Sequence, residues 1–310
     1  PCSSFPSPLS AWYDLRLTNK YDIPSVFEHF DKANGHTTGG ANYSVTSVID
    51  SPQISRLRKK HHSEMEKDMS DVVFSILGTA VHAILEGGAS GGQIPEQRLH
   101  CDIDVDGRTV SISGQIDLQT PMEDGYMLSD YKTTSVYAIQ ANPDGKVEYV
   151  NQLNSYAAIA RRNGVNVSGL EVIAILRDWS AAAKNRSENY PQASVIVIPV
   201  DMWSEEKADR YLEARVKLHE SLEHNECTLE EMWAKPPVFA LYELAKSGAL
   251  RKRATKLFDN KLEADIASSS LLGSVVVERP RMFTRFEGDY CNVSKFCEQY
   301  KSIRREDGRE

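Results

Sequence analysis

The stretch that most constrains the fold runs from Gly114 to Lys132. It contains two β-forming runs, G-Q-I-D-L and Y-M-L-S-D-Y-K-T-T, joined by a polar turn over 119–125 with proline, aspartate and glycine. Such a turn predicts a hairpin, in which Asp117 on the first strand comes level with Asp130 on the second. Because side chains alternate across a strand, Asp130 and Lys132 share one face. The sequence therefore predicts two carboxylates and one ammonium at a single spot.

The elements around this hairpin predict a mixed α/β core. A strongly apolar helix is expected over 71–86 and should be buried on most sides. The other expected elements are strands at 98–106 and 109–118 joined by a D-G-R turn, a strand at 126–132, a helix at 146–163, strands at 170–177 and 194–200, and a helix at 204–225. This order predicts a mixed central β-sheet flanked by helices.

No clear linker divides the 310 residues. We expect a core at 71–225, an N-terminal elaboration with a basic helix at 1–70, and a helical, basic segment at 226–310 that packs back on the core. Within that last segment, 249–265 should be helical and 275–286 extended. Five scattered cysteines favour a reducing compartment. We expect no membrane association and a cytoplasmic location in a bacterial or phage-infected cell, because no apolar run approaches bilayer-spanning length.

Several of the polar residues have a purely structural alternative. A lone histidine such as His82 on an apolar helix is commonly a core residue, and Glu86, one turn further on, is placed to share its face. Lys132 and a nearby aspartate are also typical of a structural ion pair. The basic run R-L-R-K-K-H-H over 56–62 is either a solvated helix face or a binding surface.

Four strings, G-T-A-V-H, G-Q-I-D-L, L-S-D-Y-K-T-T and Q-L-N-S-Y-A, together resemble the PD-(D/E)XK nucleases of the RecB type. That group includes the RecB and AddB nuclease domains, the CRISPR adaptation nuclease and many phage exonucleases. D-x-K and Q-x-x-x-Y are each common by chance, so the signal is the order of all four on the expected elements. The resemblance implies a restriction-endonuclease-like core of order αβββαβ.

The resemblance also implies roles for matching residues. The implied metal ligands are His82, Asp117, Asp130 and the backbone carbonyl of Tyr131; the implied catalytic residues are Asp117, Asp130, Lys132, Gln152 and Tyr156. Ile116 stands where the family name has proline. The implied cofactor is Mg²⁺ or Mn²⁺, a hard ion that takes carboxylate oxygens and lowers the pKa of the water it binds. The ammonium would offset charge that develops on the phosphate.

The expected function is therefore metal-dependent hydrolysis of DNA, most simply by an exonuclease that acts on DNA ends in recombination or repair. An endonuclease or a CRISPR-adaptation-like nuclease is the alternative within the class. A non-catalytic DNA-binding or scaffolding subunit on the same fold is the alternative outside it. The expected partners are DNA, single-stranded or as duplex ends, and a recombinase or single-strand-binding protein.

The net charge of −8 means that DNA must be bound through local basic patches. The candidates are Arg56, Arg58, Lys59, Arg161, Arg162, Arg251, Lys252, Arg253, Arg279, Arg281 and Arg285, with Phe283 or Phe286 as base-stacking platforms. Several relatives hold an iron–sulfur cluster with four cysteines. The spacing here, with Cys291 and Cys297 close but Cys2 and Cys227 distant, predicts no such cluster.

Overall fold

The computed structural model describes residues 16–28, 37–221, 226–245, 247–279, 282–287 and 290–306. Two residues singled out above, Arg281 and Cys2, lie outside these ranges. The chain divides into two compact units, Pro1–Asn225 and Glu226–Glu310.

The first unit contains the elements predicted around the hairpin. In chain order they are β1 (Arg16–Thr18), β2 (Tyr43–Ser44), α1 (Val45–Ile49), α2 (Pro52–Lys60), β3 (Glu66–Asp68), α3 (Met69–Glu86), β4 (Ile94–Val105), β5 (Arg108–Met122), β6 (Gly125–Thr134), α4 (Val136–Gln140), α5 (Val147–Arg162), β7 (Val167–Leu176), α6 (Ala181–Lys184), β8 (Val195–Pro199) and α7 (Glu205–Glu220). The order αβββαβ from α3 to β7 follows the prediction, with the short α4 added. That helix forms because Ser135 caps it by accepting a hydrogen bond from the N–H of Ala138.

Two tight turns set the register of β4, β5 and β6. Asp106 and Gly107 join β4 to β5 with φ angles of 53° and 78°. Both angles are left-handed, as a two-residue hairpin turn of type I′ requires. The second turn is shorter than the predicted 119–125, because β5 continues to Met122 in ladder with β6. Pro121 is tolerated there because the β4 ladder has already ended, at Gln119.

The central sheet is mixed and forked, and the predicted mixed sheet flanked by helices is confirmed. β4 runs antiparallel along one edge of β5. The other edge of β5 pairs antiparallel with β6 only from Met122 to Leu118, and then with β2, in parallel, at Ile112 and Ser113. β6 instead continues in parallel with β7, which pairs antiparallel with β8. We call the point where β5 and β6 part, just beyond the pair Leu118–Ser129, the fork.

The two helices beside the fork lie on opposite faces of β6. Lys132 lies near the ring of Tyr149 on α5, whereas Tyr131 packs against His82 on α3. Helix α5 is the core helix, with every residue from Asn151 to Ala160 buried. The first unit therefore has one deeply packed face.

Helix α3 corrects two expectations. Only Met69 and Val72 along it are buried, so it is not surrounded by the core. It packs on the sheet with one side and leaves the other at the surface. Among the described residues it is also the one helix long and apolar enough to cross a membrane by length and composition, so the expectation that no apolar run approaches that length was wrong.

The second unit is a small α/β unit. Its elements are β9 (Val238–Glu243), β10 (Lys256–Phe258), α8 (Lys261–Ser269), β11 (Ser274–Arg279), α9 (Thr284–Glu287) and α10 (Glu298–Glu306). The strands form an antiparallel sheet of order β10-β9-β11. The predicted helix over 249–265 was wrong before residue 261: Asn260 caps α8, and the preceding residues pair with β9 instead. Of the predicted extended segment over 275–286, the part to Arg279 lies in β11, Phe283 forms an isolated antiparallel bridge with Ala234, and the prediction was wrong from Thr284 on, where α9 begins.

Candidate metal centre

Asp117 occupies the fork. It and Asp130 are the first residues beyond the last ladder pair of β5 and β6, and both are almost fully buried. The Oδ2 atom of Asp117 accepts a hydrogen bond of 2.7 Å from the backbone N–H of Tyr131. The side chain thus bridges the two strands where their backbone ladder has ended. The observed register of β5 and β6 places Asp117 level with Asp130, as the hairpin predicted.

Helix α5 holds Asp130 from the other side. Its Gln152 donates a hydrogen bond of 2.9 Å from Nε2 to Oδ1 of Asp130, and the same Nε2 lies 2.8 Å from the hydroxyl oxygen of Tyr156. The ammonium of Lys132 pairs with Oδ2 of Asp130. The fold therefore brings together four of the residues that were predicted to form one site: Asp130, Lys132, Gln152 and Tyr156. Tyr156 reaches this position because Gly114 leaves room for its ring.

Helix α3 and strand β4 complete a second side of the cluster. The Nδ1 atom of His82 lies 3.0 Å from Oε1 of Glu96 and 3.5 Å from Oδ1 of Asp117. Ligands next to one another around an octahedral cation with bonds of about 2.1 Å lie about 3 Å apart, so this spacing suits one shared ion. Among the described residues, these three form the group of possible ligands whose atoms all lie within 4.8 Å of one another.

Glu96 was not predicted. The expected strand began at residue 98, whereas β4 begins at Ile94, and His82 pairs with Glu96 instead of the exposed Glu86. The signal was present in the sequence, because counting outward from the D-G-R turn places Glu96 opposite Asp117. Glu96 has a left-handed φ of 49°, which is uncommon for a residue with a side chain and often marks functional positions.

The cluster carries more negative than positive charge. Glu96, Asp117 and Asp130 face one ammonium and one imidazole. Burial, and then the neighbouring Asp130, raise the pKa of Asp117 to about 7. The hydrogen bond that the Glu96 carboxylate accepts from His82 raises the pKa of His82. Burial opposes the charged form of Lys132, but Asp130 outweighs it and raises the pKa of that ammonium. A divalent cation would relieve this excess of buried negative charge.

The donor atoms fit a hard divalent cation. Carboxylate oxygens with one imidazole nitrogen and no thiolate are compatible with the predicted Mg²⁺ or Mn²⁺ and also with other divalent ions, so the identity of the ion stays a prediction. The residues that would hold the ion are His82, Glu96 and Asp117. Asp130, whose two oxygens contact Gln152 and Lys132, stays a predicted ligand. The backbone carbonyl of Tyr131 stays a predicted ligand; the ring of Tyr131 packs edge-on against His82 with centroids 5.7 Å apart.

The basic residues of the first unit are mostly engaged within the protein. Arg162 donates hydrogen bonds to Asp209 and Glu213 on α7, and Arg161 is mostly buried and pairs with Glu205. On α2, Arg56 donates to a main-chain carbonyl, Arg58 pairs with Asp50, and Lys59 lies over the ring of Tyr43. Their expected phosphate contacts stay predictions, and the acidic partners of Arg162 make its contact less favourable.

The second unit corrects two of the expected DNA contacts. Phe286 is 2% exposed and Arg285 is 8% exposed, so neither can stack on a base or reach a phosphate. Of the other predicted contacts in this unit, Arg251, Lys252, Arg253 and Arg279 are exposed, and Phe283 is half-buried. Their contact with DNA stays a prediction. Cys227, Cys291 and Cys297 are buried in this unit, and Cys101 is buried in the first.

The fold and the cluster together define a mixed α/β protein with a candidate hard-cation centre at a forked sheet. No protein-family model matches the chain, and no curated protein matches its sequence. Among solved structures, the crystal structure of SSO0001 is similar to 62% of this chain and 82% of its own chain, with 18% sequence identity and a TM-score of 0.40. A likeness this remote carries no inference about function.

Proposed function

We propose that the protein is a divalent-metal-dependent DNA nuclease that hydrolyses phosphodiester bonds. The observation that supports this most is the convergence of His82, Glu96 and Asp117, from a helix and two strands, on one partly buried, acidic spot at the fork. When bound there, Mg²⁺ or Mn²⁺ would act as a Lewis acid on the phosphate and make water nucleophilic near neutral pH. The motifs that resemble RecB-type nucleases support the same reaction.

The remaining site residues have roles that follow from their contacts. Lys132 is held as an ammonium by Asp130, and a quarter of its side chain is exposed, so it can offset negative charge on a reacting phosphate. It is not a proton acceptor in this state. Gln152 fixes the orientation of Asp130 and is itself fixed beside Tyr156. Burial raises the pKa of Tyr156, which therefore stays a neutral hydroxyl.

We further propose that the enzyme acts on DNA ends, as an exonuclease in bacterial or phage recombination or repair, with a recombinase or single-strand-binding protein as partner. This part rests on the resemblance alone. Incubation of the purified protein with linear duplex, linear single-stranded and closed circular DNA in Mg²⁺, Mn²⁺ or EDTA tests it. Digestion of linear DNA only indicates an exonuclease. Digestion of circular DNA as well indicates an endonuclease, and binding without digestion indicates a scaffold.

A matched pair of lysine variants tests the site itself. Lys132 and Lys146 lie at 5.7 and 5.8 Å from the same Tyr149 ring, but Lys132 also pairs with Asp130. Lys132→Ala should lower the rate of cleavage by about 10²-fold or more, because it removes a charge beside the reacting phosphate. Lys146→Ala should leave the rate within about threefold. Equal activity of the two variants, with both folded by circular dichroism, would contradict the proposed role of Lys132.

A further inference from the structure

The exposed side of α3 carries large apolar side chains beside the candidate metal centre. Phe74 is 56% exposed, Leu77 is 42% exposed and Ile84 is 73% exposed. At 100° per residue these three positions fall on one side of the helix. Because exposed apolar patches of this kind usually mark a binding surface, this side of α3 needs an explanation.

A cation lies on this apolar surface. The guanidinium of Arg177 lies 4.6 Å from the centroid of the Phe74 ring. Arg177 is itself exposed, and within the described part of the chain no carboxylate forms an ion pair with it. The pair thus presents a half-exposed aromatic ring beside an exposed arginine. Those are the two features by which proteins bind single-stranded nucleic acid.

The pair also lies near the fork. The backbone N–H of Arg177 donates a hydrogen bond of 3.0 Å to the carbonyl of Thr134, two residues beyond Lys132 on β6. Gly78 on α3 faces Thr133, since a Cβ there would lie 3.9 Å from the Thr133 hydroxyl. Phe74 is one helical turn before Gly78, and His82 is one turn after it. The ring and the imidazole are therefore about 12 Å apart along the helix.

We infer that Phe74 and Arg177 form a platform for single-stranded DNA, on which the ring stacks on an unpaired base and the guanidinium contacts a phosphate. This inference rests on the proposed nuclease function, because it names the form of DNA that reaches the centre. Bases within a duplex are stacked on one another, so a ring at this place favours an unpaired strand. A bilayer is a poorer occupant, because the guanidinium of Arg177 lies on the apolar surface and the imidazole of His82 lies beside it.

The test measures binding without catalysis. Fluorescence anisotropy in EDTA compares a 20-nucleotide oligothymidylate with an abasic strand of the same length and charge. The parent protein should bind oligothymidylate more tightly. Phe74→Ala should weaken that binding by about 5- to 150-fold, because stacking of one base contributes about 1–3 kcal/mol. The same variant should bind the abasic strand as the parent does, and Phe74→Trp should retain binding to both.

Arginine variants separate charge from stacking. Arg177→Ala should weaken binding to both strands and reduce the slope of log affinity against log salt by about 0.7, the value for one phosphate contact on a single strand. Arg210→Ala, which removes an exposed arginine on α7, should change neither.

The platform would be refuted if Phe74→Ala lost equal affinity for both strands, or lost none. It would also be refuted if the parent protein bound duplex DNA more tightly than oligothymidylate. A further refuting result is flotation with anionic phospholipid vesicles that depends on Phe74 while oligothymidylate binding is unchanged by the substitution. Base-dependent binding through Phe74 in a protein that cuts no DNA would support the platform and reject the nuclease. DNA cleavage without Phe74-dependent binding would do the reverse.

Discussion

Replacement of Asp117 by asparagine should stabilise the metal-free protein. Burial and the nearby Asp130 raise the pKa of Asp117 to about 7, whereas an aspartate in an unfolded chain has a pKa of about 3.9. The folded state therefore binds more protons than the unfolded state between about pH 4 and pH 7. By linkage, the free energy of unfolding falls as pH rises through that window.

The size of this effect follows from the same pKa values. A difference of about 3 pKa units corresponds to a cost of up to about 4 kcal/mol once the carboxylate is fully ionised, above about pH 7. Asparagine avoids this cost and still offers an oxygen to the N–H of Tyr131. In EDTA at pH 8 the variant should melt several degrees above the parent, since about 1 kcal/mol moves the melting temperature by roughly 2–4 °C in a domain of this size.

Thermal unfolding at pH 4.5 and pH 8 measures the effect, with Asp102→Asn, an exposed aspartate on β4, as the control. Addition of Mg²⁺ or Mn²⁺ at about 100 times its dissociation constant should then stabilise the parent by about 2.7 kcal/mol and leave Asp117→Asn nearly unchanged. The reasoning is refuted if Asp117→Asn gains no stability in EDTA at pH 8, or if its gain is equally large at pH 4.5.

Three further predictions concern single residues. Glu96→Gln should weaken Mn²⁺ binding by about 10- to 100-fold in calorimetric titration, and unchanged affinity would remove Glu96 from the ligand set. Gly114→Ala should lower the free energy of unfolding in urea by about 1–3 kcal/mol, because its Cβ would lie 2.8 Å from Cδ1 of Tyr156; Gly78→Ala, with no atom closer than 3.9 Å in a helix, should raise it by about 0.5–1 kcal/mol. Burial holds the pKa of His219 below its usual value while its ring bonds main-chain carbonyls, so its stabilising effect is present above about pH 6.5 and is lost as pH falls. Between pH 7 and pH 5 the melting temperature should fall less steeply with pH for His219→Gln than for the parent, and equal slopes would contradict this.

The sequence predicted the parts of the fold that local rules determine. The polar turn that follows β5 and the alternation in the two strands it joins fix the register of β5 against β6, and that register places Asp117 level with Asp130. The same alternation places Lys132 beside Asp130, and helical spacing places Gln152 and Tyr156 on one side of α5. These residues are adjacent in the structure because each step depends on neighbours along the chain.

What could not be predicted depends on contacts between distant segments. The apolar run of α3 is typical of a buried helix, and nothing in its own sequence shows that only one side of it meets the sheet. The basic run before residue 261 has helical composition, yet Lys256–Phe258 pairs with β9, because tertiary pairing overrides local preference. The ion pairs of Arg162 with α7 likewise join residues 47 and 51 positions apart.

The short strand β2 has a practical consequence for any attempt to isolate the catalytic part. A fragment that began at residue 71 would keep every residue assigned to the centre. It would lose Tyr43 and Ser44, which pair with the edge of β5 beyond the point where β6 leaves it. It would also lose Val45, which packs beside Gly114. An uncovered strand edge invites pairing with another molecule. The shorter fragment should therefore self-associate, whereas one that starts ahead of residue 43 should stay monodisperse.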